Sequence, residues 1–315
     1  MRICSSARND LSFYFDDKNL KTTHASIVLD SINEETGARI TTWTIKLWKV
    51  LVAEFNTHRV CSRNSASSRA VKLSKMRERI LSDPYLPFWW GKNKSGMQAD
   101  EQLSPKDIES CKLVILEHME HAIKTHEKLE NIGLHKQITN RYLEPWMETE
   151  ILFTATETKN MRDLRVHLDA QPEFMLPAEE AFFLMDASRP QVLKCGEWHI
   201  PFIREEEKDL PVLTKLRISA ARCARVSYFL QDGKPSTWEK DLELCIRLMG
   251  SSPLHSSPFE HQAQAVGLSQ IRYDDAFNSR AAKKLMGNFC SSFYQHRGYV
   301  ELGIGKYGDW EAKDD

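Results

Sequence analysis

The sequence predicts an α+β fold, a mixed or antiparallel sheet flanked by helices. Strand-like runs stand at 24–30, 40–47 and 150–155. A long amphipathic helix pattern covers 105–131, with further helical patterns on either side of it. Neither GxGxxG nor GxxxxGK[ST] occurs, so an ordinary Rossmann or P-loop fold is unsupported.

Residues 24–30 (HASIVLD) read as a first strand. Residues 40–47 alternate: Ile40, Thr42 and Thr44 share one face, and Thr41, Trp43, Ile45 and Leu47 the other. That pattern predicts a half-buried strand with one face much more apolar. Residues 49–58 suit a short helix, 59–70 a Ser/Arg-rich loop, and 83–98, with Pro, Gly and large aromatics, a structured loop. The helix over 105–131 has Ser104 as N-cap, Pro105 in its first turn and Asp107 as capping-box partner. Ile108, Cys111, Ile115, Ala122 and Leu129 form its apolar stripe, and Gly133 stops it. Its His118, His121 and His126 lack the HExxH order and read as a solvated or packed face. Residues 150–155 read as a buried strand and 158–168 as a helix entered at Thr158. Pro172 and Pro177 are read as interruptions before a helix at 178–185. Helices follow at 215–229 and at 237–250, the second ending at Gly250, then a turn at 251–261 and a loose tail.

The chain has 315 residues, two domains' worth at about 150 residues each, or one large fold. The charged stretch 204–210 before Pro211 is the best boundary, dividing 1–203 from 204–315 within what we expect to be one integrated fold. A composition of 41% hydrophobic and 28% charged residues excludes disordered, collagen-like and long coiled-coil chains. With 43 Lys+Arg against 44 Asp+Glu, the net charge of −1 argues against a general nucleic-acid or anionic-membrane binder. The apolar runs are too short to span a bilayer, and Met1–Asn9 lacks an apolar signal core. Seven cysteines without a CxxC read as reduced thiols in a cytoplasm-like compartment.

Four constellations could carry chemistry. The 58–69 loop holds His58, Arg59, Ser62, Arg63, Asn64, Ser65, Ser67, Ser68 and Arg69. Forked Arg donors, hydroxyls and small side chains suit a nucleotide phosphate; a solvated basic loop is the plain alternative. The 135–173 stretch holds Arg141, Asn160, Arg165, Gln171 and Glu173. Asn160 and Arg165 lie ~140° apart on a helix, able to reach different parts of one ligand, or they are ordinary helix-end polar residues. HSSPFEH (255–261) could be a metal site through His255, Glu260 and His261, or a capping turn. Cys61 between Arg59 and Arg63 could be an activated thiol, or a buried one.

Together these segments resemble the flavin-dependent thymidylate synthases (the ThyX family). Against the signature RHRxxSxNExSxRY, His58, Arg59, Ser62, Asn64, Ser67 and Arg69 match; Thr57, Ser65 and Ala70 replace the leading Arg, the Glu and the Tyr. RYLEP (141–145) resembles the family's RxxLP segment, NMRDLR followed by AQPE (160–173) its Asn-x-x-x-x-Arg stretch before AQxE, and HSSPFEH its HxSPFEH element. In familiar members HxSPFEH precedes the Arg-rich signature; here it follows. RISAARCARVSY (217–228) resembles a segment from the family's start, and QHR (295–297) a worn second copy of RHR. The chain thus resembles a permuted or partly duplicated branch, of the kind associated with bacteriophages.

The resemblance implies conversion of dUMP to dTMP, with 5,10-methylenetetrahydrofolate giving the carbon and FAD, reduced by NADPH, giving the hydride. It implies Arg165 as the catalytic cation at the uracil ring, and Arg141, Ser67 and Arg69 on the dUMP phosphate and sugar. It places His58, Arg59, Asn64 and Asn160 on FAD, and His255 and Ser257 near flavin or folate. It implies no metal, and a homotetramer with sites shared between subunits. A dCMP-directed or hydroxymethyl-forming relative, or a non-catalytic nucleotide binder, would use the same motifs.

Overall fold

The computed structural model describes residues 24–226 and 236–309. Five strands form the main sheet: β1 (Ala25–Asn33), β2 (Arg39–Trp48), β3 (Ser62–Ser65), β4 (Glu148–Ala155) and β5 (Gln191–Leu193), in the order β3-β4-β2-β1-β5. All pairs are antiparallel except β1 with β5, which makes the sheet mixed. A second antiparallel sheet holds β6 (Trp198–His199), β7 (Ala263–Ala265) and β8 (Phe293–Gln295). With helices flanking the main sheet, the fold is the α+β class expected.

The β1–β2 connection turns at Gly37, whose φ of 70° suits a residue without Cβ. Asn33 closes that turn through its side-chain oxygen, which accepts from the amides of Glu35 and Thr36. Its Nδ2 donates to the carbonyls of Val266 and Ser292, tying the hairpin to the second sheet.

One face of β2 follows the expected apolar pattern. Trp43 stacks on Phe153 at 5.0 Å, and Phe55 meets Phe153 edge-on. The helix Pro172–Ala187 covers this face, where Trp43 Nε1 donates to the Ala181 carbonyl. Each such side chain, fully buried, contributes roughly 1.5–3 kcal/mol. The other face is not exposed as expected: Ile40 and Thr42 are buried too, and Thr41 is buried on the apolar face. β2 is central, and the second sheet brings His199 against it. The buried hydroxyls are tolerated because each is paired, Thr41 donating to Asp30, and Thr42 bonding to Thr154 and His199.

Among the described residues the α-helices of seven or more residues are α1 (Leu73–Ser82), α2 (Pro105–Ile132), α3 (Lys159–Arg165), α4 (Pro172–Ala187), α5 (Val212–Val226), α6 (Trp238–Met249), α7 (Leu268–Ala276), α8 (Arg280–Met286) and α9 (His296–Leu302). α2 is capped as its sequence predicts: Ser104 Oγ accepts from the Asp107 amide, and Gly133 closes the helix with φ 92°. It packs with α1 and the turn Asn140–Trp146 around Met76, Ile80, Met119, Leu143 and Trp146. Ala220, Ala221 and Ala224 of α5 let α6 and Phe259 approach closely. Residues 227–229 of the helix expected over 215–229, like Cys4, Met1–Asn9 and the end of the tail, lie outside the described residues.

Three further expectations are corrected. Residues 62–65 are a strand, not loop, because backbone pairing with β4 compensates for weak strand formers. Residues 73–82, within the stretch 71–103 expected as loop, form α1. α4 starts at Pro172, not 178. Pro172 sits in the first turn, where no donor is needed, and Pro177 continues the helix within a buried apolar segment.

Candidate functional site

β3 and β4 run antiparallel, with Ser62 opposite Thr154, so the loop before β3 and the helix after β4 meet at one end of the sheet. The amides of Thr57 and His58 bond back to Glu54 and Phe55, which turns the loop beside the Phe55 core. α3 then lays its last turn across the loop. Arg165 Nε donates to His58 Nε2 at 2.9 Å. The Arg165 guanidinium lies 4.4 Å from the centre of the Phe174 ring, and Nη1 is 3.7 Å from Glu54. Burial lowers the His58 pKa, the charges of Arg165 and Arg63 lower it further, and a hydrogen bond with Asn160 opposes them. The ring is therefore neutral at neutral pH, and Nε2 accepts.

A cavity of about 600 Å³ opens here, lined by Thr57, His58, Arg59, Cys61, Asn160 and Asp163 among others. Arg59 and Asn160 are exposed on its wall. Glu157, Lys159 and Asp163 share that wall, and Lys159 pairs with Asp163, so the cavity is mixed in charge rather than a plain anion trap.

Ser67 and Arg69 lie beyond β3, on a turn whose carbonyls are held from behind. Lys49 Nζ donates to the Ala66 carbonyl at 2.7 Å, Asn140 Nδ2 to those of Ser68 and Val71 at 2.8 and 3.0 Å, and Lys136 to that of Ala70 at 3.4 Å. Ser67 is half-buried and Arg69 exposed. Arg141 is exposed one residue after Asn140 and pairs with Glu144 at 2.8 Å. Glu144 also accepts from Ser68 Oγ at 2.6 Å, joining the RYLEP segment to the Ser/Arg turn.

The element displaced in sequence returns to β3 in space. Gln295 Nε2 donates to Ser62 Oγ and to the Glu260 carbonyl. Glu260 pairs with Arg297, and Thr154 Oγ1 bonds His261 Nδ1 at 2.9 Å. Burial raises the Glu260 pKa against the pull of Arg297 and Arg63, and holds His261 down at about 3. His255 and Ser257 are exposed on the outer part of this turn. The side chains of Glu260 and His261 are thus committed separately while His255 is exposed, and among the described residues no three His, Cys, Asp or Glu could hold a metal ion. The capping alternative is not realised either, since Ser256 is the N-cap without a side-chain cap bond.

Asn64 is buried in β3, away from the cavity lining, and its Nδ2 has no partner among the described residues. The flanking arginines do not activate Cys61. Burial raises its pKa, and its thiol donates to the His58 carbonyl. His126 is packed rather than solvated, between Arg77 and Asn140.

So His58, Arg59 and Asn160 line one cavity, with Arg165 bonded to His58 but not among the lining residues, Ser67, Arg69 and Arg141 lie on two joined turns, and His255 and Ser257 stand outside both. The sequence reading missed Glu54, Phe174, Glu144, Lys49 and Asn140. Only Glu144 and Phe174 had a signal, as members or neighbours of RYLEP and AQPE. Glu173 of AQPE is buried and accepts from the Trp89 amide and from Gln171.

No family model and no curated protein matches this chain. Among solved structures, it is similar to the UMP/dUMP methylase PolB from Streptomyces cacaoi bound with 5-Br UMP, at 16% identity and TM-score 0.41, over 50% of this chain and 85% of that one. The same methylase bound with 5-Br dUMP matches at 17% identity and TM-score 0.39, over 47% of this chain and 66% of that one.

Proposed function

We propose that this chain is a flavin- and folate-dependent enzyme that methylates dUMP at C5, with the motif order of a permuted ThyX-type branch. The observation that carries the reading is the Arg165–His58 contact over Phe174: it joins the signature loop to the Asn-Arg helix across 107 residues of chain.

The cavity would take the flavin, its mixed wall being able to meet both a hydrogen-bonding ring edge and an anionic tail, and His58, Arg59 and Asn160 would be the holding residues. Bound there, reduced FAD would supply the hydride, NADPH its electrons, and methylenetetrahydrofolate the carbon.

The chain's own contribution is electrostatic and positional. Uracil C5 is a weak nucleophile until negative charge enters the ring. A guanidinium beside N3 and O2 favours the N3-ionised form, each pKa unit of such a shift being about 1.4 kcal/mol. Arg165 suits that role because it does not itself deprotonate. His58 accepts from Nε, Glu54 lies 3.7 Å from Nη1 and Phe174 supports the plane, which would hold the guanidinium in place for a ligand. Arg141, Ser67 and Arg69 would hold the phosphate and sugar, and His255 and Ser257 would complete the flavin or folate site, with a second subunit where the sites are shared. The exposed side chain of Thr57, which donates to the Glu54 carbonyl where the signature has an Arg, favours a second reading, the same scaffold acting on dCMP.

The test is tritium release from C5-labelled dUMP, omitting FAD, NADPH and methylenetetrahydrofolate in turn. Release that needs all three is expected. No release from a chain that binds FAD would overturn dUMP as the substrate.

A further inference from the structure

His126 is fully buried, yet it belongs to none of the motifs assigned above. Its two ring nitrogens form the middle of a chain of hydrogen bonds from α1 to the Ser/Arg turn. Arg77 Nη1 lies 3.0 Å from His126 Nδ1, and His126 Nε2 lies 2.9 Å from Asn140 Oδ1. Asn140 Nδ2 donates to the carbonyls of Ser68 and Val71.

The polarity of this chain has one solution. A guanidinium only donates, so His126 Nδ1 accepts. The neutral ring then carries its proton on Nε2 and donates to Asn140 Oδ1. That turns the Asn140 amide so that both its N–H groups face the two carbonyls. Arg77 is fixed in turn by Glu130, one helical turn after His126 on α2, with Glu127 3.8 Å away. Burial and the charge of Arg77 both lower the His126 pKa, which keeps the ring in the form the chain needs.

Asn140 directly precedes Arg141, while Ser68 and Val71 bracket Arg69. One amide therefore sets the spacing between the two exposed arginines. We infer that His126 is a positioning residue for nucleotide binding: through Asn140 it fixes the Arg69 turn against the Arg141 turn, so that both cations meet the phosphate end of a pyrimidine nucleotide. The inference rests on the nucleotide reading above.

The test compares His126→Leu, which fills the space without polar atoms, with His126→Gln, whose amide can accept from Arg77 and donate to Asn140. In the full chain, His126→Leu should weaken dUMP binding about tenfold, the effect of roughly two lost hydrogen bonds. Flavin affinity and kcat should change little, and His126→Gln should restore dUMP affinity. Amide exchange at Arg69–Lys72 should accelerate in the Leu variant and not in the Gln variant. If His126→Leu does not fold, Asn140→Ala gives the same two readouts. Equal loss of flavin and dUMP affinity, or no rescue by Gln, would overturn the positioning role in favour of plain packing. If the parent chain binds no pyrimidine nucleotide, the functional reading fails and so does this role in binding. Unchanged exchange would overturn the clamp itself, whatever the ligand.

Discussion

Arg165 donates its Nε–H to Nε2 of His58 at 2.9 Å while its guanidinium lies over the ring of Phe174. The pairing uses Nε and leaves both Nη groups outside it. It also fixes a neutral His58, since a protonated ring could not accept. Asn160, on the first turn of the same helix, reaches the same imidazole. The two residues five apart on α3 thus act on one loop side chain rather than on separate features.

The first prediction follows from that geometry. Arg165→Ala should lower dUMP turnover by about 10- to 100-fold, what losing one charge-assisted contact worth about 1.5–3 kcal/mol would give. The folded state should persist, because the side chain is partly exposed and its Glu54 pair is loose. Steady-state kinetics with circular dichroism as the folding control reads this directly. A folded Arg165→Ala chain with parental kcat would sink the assigned role.

Buried histidines give the second. Burial holds His199 and His261 down at about 3 and His296 at about 4, from 6.5. Each folded value lies below the unfolded one, so unfolding takes up protons below pH 6.5. Their contribution to stability is complete above that pH and falls as pH drops through the window toward the folded values. Glu148 and Glu260, raised by burial, act in the opposite sense, so the clean readout is a difference between parent and variant. His261→Gln should flatten the pH dependence of urea unfolding by up to about one proton, or 1.4 kcal/mol per pH unit. Identical slopes for parent and variant would remove His261 from the account.

The parts of this architecture legible in sequence were those where a local signal and the tertiary environment agreed. α2 announced itself through Ser104, its apolar stripe and Gly133, and forms as expected. β2 announced its apolar face through Trp43, Ile45 and Leu47, but the burial of Thr42 depends on a second sheet some 150 residues away, which no local pattern encodes. β3 was invisible because Ser62, Arg63, Asn64 and Ser65 have no strand preference; β4 supplies it. At the site, motif spacing picked out His58, Asn160 and Arg165. Glu54, Lys49 and Asn140 were hidden, because what matters for each is a contact made only in three dimensions.

A third prediction concerns the ion network of the second half. Arg222 binds Glu207 through both Nη atoms and Asp241 through Nε, and Arg225 and Ser236 also bond Asp241. Both carboxylates are buried. Replacing Arg222 with Met would keep the packing but take the bidentate partner from buried Glu207 and one of three partners from Asp241, at a cost of about 3–5 kcal/mol. Urea denaturation at neutral pH measures it. A loss under about 1 kcal/mol would mean that water or rearranged partners satisfy Glu207 and Asp241.

The last prediction separates a reactive thiol from a packed one. Cys61 lies between two arginines and lines the cavity, which in sequence suggested a nucleophile. In the fold, burial raises its pKa, and the Arg63 charge opposes this without reversing it. Its thiol hydrogen is already committed to the His58 carbonyl at 3.2 Å. A protonated, occupied thiol reacts slowly. Cys61→Ala should therefore leave kcat within about twofold and cost roughly 1 kcal/mol of stability, since only a small buried group is lost. At neutral pH, alkylation should instead label Cys195, which is exposed, first. Rapid modification of Cys61 with matching loss of turnover would restore it as a catalytic candidate.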